Sequence, residues 1–309
     1  MYRTLHALPL LLLLSIPSIA PAFAGPAPIV GGEPAHAGDW PDVVGVLGTQ
    51  ARCTGTLIAP DVVLTAGHCI DIDPRWVVLG SLDIAAPVDK IAVKWAKAYP
   101  RWEDKLDVGV IMLAHAARPA PRKIATACFA NAALRTGATL EVVGYGLTTA
   151  DATDRNSELR TATLPVIDAF CTDAPGCNIA ARPNGEIAAG GRGVDSCFGD
   201  SGGPAYLAGA DGPVLVGVVS RGLDVPGAPC GNGGIYTRAD KAVDWIESVT
   251  QRVLARVDCD RPTDDPIEPA LAPVDAEAGE GGCMIAGGAQ AGFALCGFVL
   301  AIAVRRRRR

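Results

Sequence analysis

The sequence predicts an all-β domain closed by one C-terminal helix, and three observations carry that prediction. Short apolar runs of strand length occupy residues 42–47, 62–64, 108–113, 140–143 and 214–219. Clusters of Gly, Pro, Asp and Asn separate them, as in sandwiches and barrels. The last segment changes period: Val243, Ile246, Val249 and Val253 recur at helical spacing, which predicts an amphipathic helix over 240–257. Asp240 suits its N-cap, where a carboxylate accepts a free backbone N–H. No internal repeat is visible.

Composition narrows the class. The chain has 309 residues, is 49% apolar and 19% charged, and carries a formal net charge of -6. That is too apolar and too weakly charged for a disordered protein. A mildly acidic balance excludes nucleic acid as the main partner. The dense basic run is confined to residues 305–309. Ten cysteines beside an export signal point to an oxidising compartment.

Both ends stand apart from the fold. Residues 1–24 combine Arg3, an apolar stretch over 8–20 and Ala22-Phe23-Ala24, the pattern of a signal peptide cut after Ala24. The protein is therefore expected to leave the cell by the Sec route and to be extracellular or anchored at a bacterial surface. Gly25-Pro26-Ala27-Pro28 then forms a short propeptide, and the domain covers 29–257. Residues 258–282 are acidic and rich in Pro, Ala and Gly, a solvated linker. Residues 284–304 carry no charge and, as a helix of about 31 Å, are long enough to span a bilayer. The five arginines that follow would stay on the cytoplasmic side. Gly281-Gly282-Cys283, this span and the arginines also resemble the MYXO-CTERM sorting tags of myxobacteria, which implies processing at Cys283; a plain membrane anchor is the alternative.

Three segments carry chemistry. Leu64-Thr65-Ala66-Gly67-His68-Cys69 follows Cys53-Thr54-Gly55-Thr56-Leu57-Ile58. An Asp107 stands directly before an apolar run, and Asp104 is close by. Asp195-Ser196-Cys197-Phe198-Gly199-Asp200-Ser201-Gly202-Gly203-Pro204 forms the third. A serine hydroxyl is a weak nucleophile that needs a base, a histidine can take and return its proton, and a carboxylate fixes the imidazole tautomer. With Ile29-Val30-Gly31-Gly32, and with the chain order His, Asp, Ser, the domain resembles the chymotrypsin/trypsin family of serine proteases.

That resemblance implies two six-stranded antiparallel β-barrels and a C-terminal helix. It implies Ser201 as nucleophile, His68 as base and then acid, and Asp107 as the group that orients it. The N–H groups of Gly199 and Ser201 become the oxyanion hole. Asp195 becomes the floor of the primary pocket, with Gly222 and Gly234 as walls and Ser220 as a backbone contact, which implies cleavage after Arg or Lys. A freed Ile29 ammonium would pair with Asp200. No cofactor is implied, and Asp71 with Asp73 are too few for a calcium loop.

The chain departs from the family pattern at three places. Pro28 precedes Ile29 where a basic residue is usual, so a trypsin-like enzyme would not cut there. Two dipeptides ending in proline suggest a separate activating prolyl dipeptidase. Arg221 stands where the family usually has Trp, which suggests acidic residues in extended substrates. Ala188 replaces a family cysteine. The eight cysteines from Cys53 to Cys259 leave the pairing open. The resemblance favours Cys53–Cys69 and Cys197–Cys230, with Cys171–Cys177 and Cys128–Cys259 as the remaining pairs. Two other readings stay open, a silent homologue used as a binding or adhesion module and a surface protein whose tail is its main function.

Overall fold

The computed structural model describes residues 29–259. The expected signal peptide over 1–24, Cys283 and the apolar span over 284–304 lie outside the described residues. Among the described residues no helix is long and apolar enough to cross a membrane.

After a short strand β1 (Glu33–Pro34), six strands follow: β2 (Val43–Leu47), β3 (Arg52–Ala59), β4 (Val62–Thr65), β5 (Trp76–Leu79), β6 (Asp89–Ala98) and β7 (Gly109–Leu113). They close into a barrel in the order β2-β3-β4-β7-β6-β5. β4 and β7 are buried along their whole length, which is why they read as unbroken apolar runs and not as alternating ones.

The second half contains β8 (Ile124–Ala125), α1 (Ala127–Ala133), β9 (Thr139–Gly144), β10 (Arg160–Asp168), β11 (Glu186–Ala189), β12 (Pro204–Gly209), β13 (Gly212–Gly222) and β14 (Gly234–Arg238). Six of these form an antiparallel ring, β9-β10-β11-β14-β13-β12, closed by the pairing of β12 with β9. β10 alternates strictly: Ala162, Leu164 and Val166 face inward while Thr163, Pro165 and Ile167 face out. α2 (Val243–Thr250) and β15 (Arg256–Val257) complete the fold, and β8 and β1 attach to β13 and β10. The expected two six-stranded barrels with a C-terminal helix are present.

The helix is shorter than the sequence predicts. A 3₁₀ turn over Ala239–Ala242 leads into α2, and Gln251 ends it in the left-handed region at φ 56°. Val253, which completed the helical spacing, is 92% exposed, and the chain then enters β15. Asp240 is not the N-cap either. Its two oxygens pair with Nε and Nη2 of Arg238 at 2.8 and 2.9 Å. Arg238 is fully buried, and a buried guanidinium left unpaired costs more than an uncapped helix start. Sequence reasoning did not find α1, whose N-cap Thr126 accepts from the Phe129 N–H.

Four disulfides brace the domain: Cys53–Cys69, Cys128–Cys259, Cys171–Cys177 and Cys197–Cys230. The Cys128–Cys259 bridge ties the segment after β15 to α1. Ala188 packs against Cys171, whose sulfur has turned to Cys177 within its own loop.

Polar contacts lock the two barrels at their seam. Asp42, which precedes β2, is buried and accepts from Arg122 on the inter-barrel link, with Nε at 2.9 Å. The hydroxyl of Tyr206 on β12 donates to the same carboxylate at 2.6 Å. Trp40 stacks on the Tyr206 ring with centroids 5.2 Å apart.

Candidate active site

The site is assembled from the edges of both barrels. His68 opens a one-turn 3₁₀ helix, His68–Ile70, just past the end of β4. Asp107 lies two residues before β7, and β4 and β7 are paired neighbours. These two strand ends therefore bring the side chains together. His68 Nδ1 lies 2.8 Å from Asp107 Oδ2, and the His68 backbone N–H donates to Oδ1 at 3.0 Å. Ser220 at the end of β13 donates from Oγ to Oδ2 at 2.7 Å. Asp104, the nearby alternative, is exposed and pairs with Arg101.

Burial works to raise the Asp107 pKa, but the bonds from His68 and Ser220 and the neighbouring imidazole outweigh it and hold the carboxyl below its usual value. Asp107 is thus an ionised, accept-only group. The ring nitrogen facing it must carry the hydrogen, which leaves Nε2 with a free lone pair.

Ser201 comes from the second barrel, in the turn before β12. Its carbonyl accepts from the Thr54 N–H of β3 at 2.9 Å, so the backbone at Ser201 is tied directly to the first barrel. Thr54 does more: its Oγ1 donates to the Gly199 carbonyl at 2.8 Å and accepts from Tyr145 N–H at 3.2 Å. The sequence alone assigns Thr54 no role. The turn needs its glycines. Gly199 and Gly202 have φ of 100° and 81°, and a Cβ at Gly202 would strike Thr65 Oγ1 and the Thr54 carbonyl. The N–H groups of Gly199 and Ser201 donate to no acceptor among the described residues. His68, Asp107, Gly199, Ser201, Ser220 and Gly222 line one cleft of about 580 Å³. Phe198, 62% exposed, stands at its rim.

Asp195 directly precedes Ser196, which lines this cleft, and is 2% exposed. Its Oδ2 accepts from the N–H groups of Gly231 and Gly233, both at 3.0 Å, while Oδ1 is buried with no partner. Burial pushes its pKa up to about 6 against those two donors. A Cβ at Gly234 would sit 3.3 Å from Oδ1, so glycine there leaves the approach open.

Asp200 is completely buried and takes hydrogen bonds from the N–H groups of Gly146 and Cys197. Burial pushes its pKa up to about 7, and the charge of Asp195 adds to the effect. Ile29 is buried as well, and the next residue's carbonyl accepts from Asp195 N–H at 2.9 Å, which stitches the start of the domain to Asp195.

Arg221, which the sequence suggests as a contact for acidic residues of extended substrates, has an acidic neighbour within the protein. Its Nη1 is 2.8 Å from Oε1 of Glu186, a residue sequence reasoning missed, and its Nη2 donates to the Gly176 carbonyl at 2.7 Å. The Glu186 contact is an ion pair set off the hydrogen-bond axis. The guanidinium charge is therefore already compensated.

Comparison with known proteins agrees with this geometry. A family model described as Trypsin matches residues 29–246. A trypsin of Saccharopolyspora erythraea is 34% identical over 237 residues, covering 71% of this chain and 96% of the relative. The solved structure of HL collagenase superposes with a TM-score of 0.60 at 26% identity, covering 73% of this chain and all of that one. With two closed barrels, a paired imidazole and carboxylate at the edge of one and a glycine-flanked serine at the edge of the other, the chain belongs to the trypsin family of serine proteases.

Proposed function

We propose that this chain is an endopeptidase that cleaves after Arg or Lys through His68, Asp107 and Ser201. The observation that carries the specificity is the buried, unpartnered Oδ1 of Asp195, the residue before cleft-lining Ser196. A buried acceptor of this kind is satisfied by a long cationic side chain and left unpaired by an apolar one. Phe198 at the rim offers an apolar contact to the stem of such a side chain.

In the mechanism, His68 Nε2 takes the Ser201 Oγ proton as Oγ attacks the substrate carbonyl. Asp107 keeps the imidazole in the tautomer this requires and stabilises the imidazolium. The oxygen of the tetrahedral intermediate takes the free N–H groups of Gly199 and Ser201. His68 then protonates the leaving amine, and water resolves the acyl-enzyme by the reverse sequence. The intact His68–Asp107 bond favours this reading over a silent binding module.

We further propose that Ile29 must be freed for full activity, with its ammonium becoming the counterion of Asp200. Two buried groups support this, an acid with no cationic partner among the described ion pairs and an isoleucine held at φ 35°, a strained value for a β-branched residue. The export signal, the prolyl dipeptidase that would remove Gly25-Pro26 and Ala27-Pro28, and the membrane or sorting tag around Cys283 belong to the same proposal.

The test is a set of matched substrates with Arg, Lys, Phe or Ala before the cleaved bond, run beside an organophosphate label. Arg and Lys substrates should be favoured and the label should land on Ser201. A preference for Phe overturns the pocket reading, and failure of Ser201 to label overturns the triad. Ser201→Ala should leave only the ~10³- to 10⁴-fold rate over water that binding and the oxyanion hole supply.

A further inference from the structure

Beside the cleft lies a second cavity of about 300 Å³, lined among others by Trp102, Glu103, Lys105, Asp107, Glu186 and Arg221. Its back wall holds a chain of contacts that the catalytic reading above does not use. Arg221 Nη1 donates to Ser220 Oγ at 3.1 Å, and Ser220 Oγ donates to Asp107 Oδ2 at 2.7 Å. Glu186, on β11 and 2% exposed, lies against the same Nη1 at 2.8 Å and accepts from Asn178 N–H at 2.7 Å.

Neighbours along a regular strand point to opposite faces, so Arg221 should not reach its predecessor's hydroxyl. Here the pairing of β13 with β14 slips between Val219 and Arg221, and that bulge allows the two side chains to meet. The direction of each bond is fixed by chemistry. A guanidinium can only donate and an ionised carboxylate can only accept, so the Ser220 proton must point to Asp107. Both bonds are charge-assisted, and each polarises the other.

We propose that Arg221, braced by Glu186, is a positioning residue that locks the Ser220 hydroxyl onto Asp107 and sets the charge balance behind the catalytic imidazole. The proposal rests on the triad reading. The charged groups facing this assembly are Glu186 from β11, Glu103 and Lys105 from the loop before Asp107, and Asp107 with His68 themselves; Arg52 faces His68 across the cleft. Glu103 and Lys105 oppose each other in sign, and so do Arg221 and Glu186, so losing one member of the Arg221–Glu186 pair leaves a net charge on this wall.

The test is the pH profile of kcat/KM on a small ester, with organophosphate labelling and a melting curve for every variant. Arg221→Met removes the cation and the donor. The midpoint of the acidic limb should rise by about half a pH unit, the effect of one unit charge across a partly solvated gap. Its kcat should fall about three- to tenfold, for loss of one oriented hydrogen bond, with KM unchanged. Glu186→Gln keeps an acceptor for Asn178 but leaves Arg221 uncompensated, so its midpoint should move down by a similar amount. Arg221→Lys should return the midpoint to wild type. Opposite shifts from Arg221→Met and Glu186→Gln cannot arise from general loosening. Midpoints that stay put, or that move the same way, overturn the proposal while Ser201 still labels; loss of the label from Ser201 in the wild type overturns the triad instead. Should Arg221→Met not fold, Glu186→Gln and Arg221→Lys decide the matter alone.

Discussion

Thr54 and Ser201 belong to different barrels, and the Thr54 N–H donates to the Ser201 carbonyl at 2.9 Å. The Thr54 hydroxyl then fixes the Gly199 carbonyl, so a single buried threonine sets both ends of the nucleophile's turn. Thr54→Val preserves the shape and the backbone bond but strands the Gly199 carbonyl and the Tyr145 N–H. It should cost about 1–3 kcal/mol in urea unfolding for the buried groups left unpaired. It should also lower kcat/KM equally for all substrates, since the displaced Gly199 serves every one of them.

The proposed pocket role of Asp195 predicts that selectivity depends on pH. Asp195 has a pKa of about 6, so it is charged above that value and increasingly neutral below it. The ratio of kcat/KM for an arginine substrate to that for its neutral citrulline analogue cancels the titration of the imidazole. This ratio should be flat above pH 7 and fall about tenfold per unit below pH 6. Asp195→Asn should make it independent of pH and about 100-fold lower, the loss expected for a charge-assisted pair. A ratio that does not change with pH in the wild type would sink the assignment.

The proposed Ile29–Asp200 pairing predicts a link between processing and stability. In the unprocessed chain its folded pKa is about 7, whereas an unfolded aspartate titrates near 3.9. The unfolded state releases this proton first as pH rises, so stability falls between about pH 4 and pH 7. Asp195 adds to the fall up to about pH 6. Asp107 acts in the opposite sense: its lowered pKa supplies stability above the unfolded value that is lost as pH drops through the folded one. Urea midpoints at pH 5 and pH 8 should therefore favour pH 5 for the unprocessed protein. Asp200→Asn should flatten that difference, and so should a protein that begins at Ile29, whose ammonium keeps Asp200 ionised. Equal slopes for processed and unprocessed protein would remove Ile29 as the counterion.

The disulfides should contribute unequally. Cys128–Cys259 closes a separation of 131 residues and Cys171–Cys177 one of 6. Chain entropy assigns them about 5 and about 2 kcal/mol. Replacing the first pair by serines should lower the melting temperature more than replacing the second, and should release α1 and the chain after β15 together.

What was legible in the sequence was local in the chain. His68, Asp107 and Ser201 each sit in a short segment whose neighbours serve the same turn, so the segment announces the residue. β4 and β7 were legible because burial on both faces made them continuous apolar runs. β10 was hidden by its alternation with Thr163 and Pro165. Val253 misled because periodicity cannot register a left-handed residue, and Gln251 had already ended the helix. Glu186 and Thr54 were not legible as site residues because their roles arise across strand pairings, from partners 35 and 145 residues away. Arg221 was visible, but not the buried acid that occupies its charge.

The seam fastened by Asp42, Arg122 and Tyr206 has a consequence for the life of the molecule. In the proposed mechanism one barrel carries the base and its carboxylate and the other the nucleophile, so neither half holds a complete set. A chain caught halfway through folding, or one coming apart with age, owns no working blade. On that reading a half-folded chain has no complete triad, and cleavage waits until both barrels have closed.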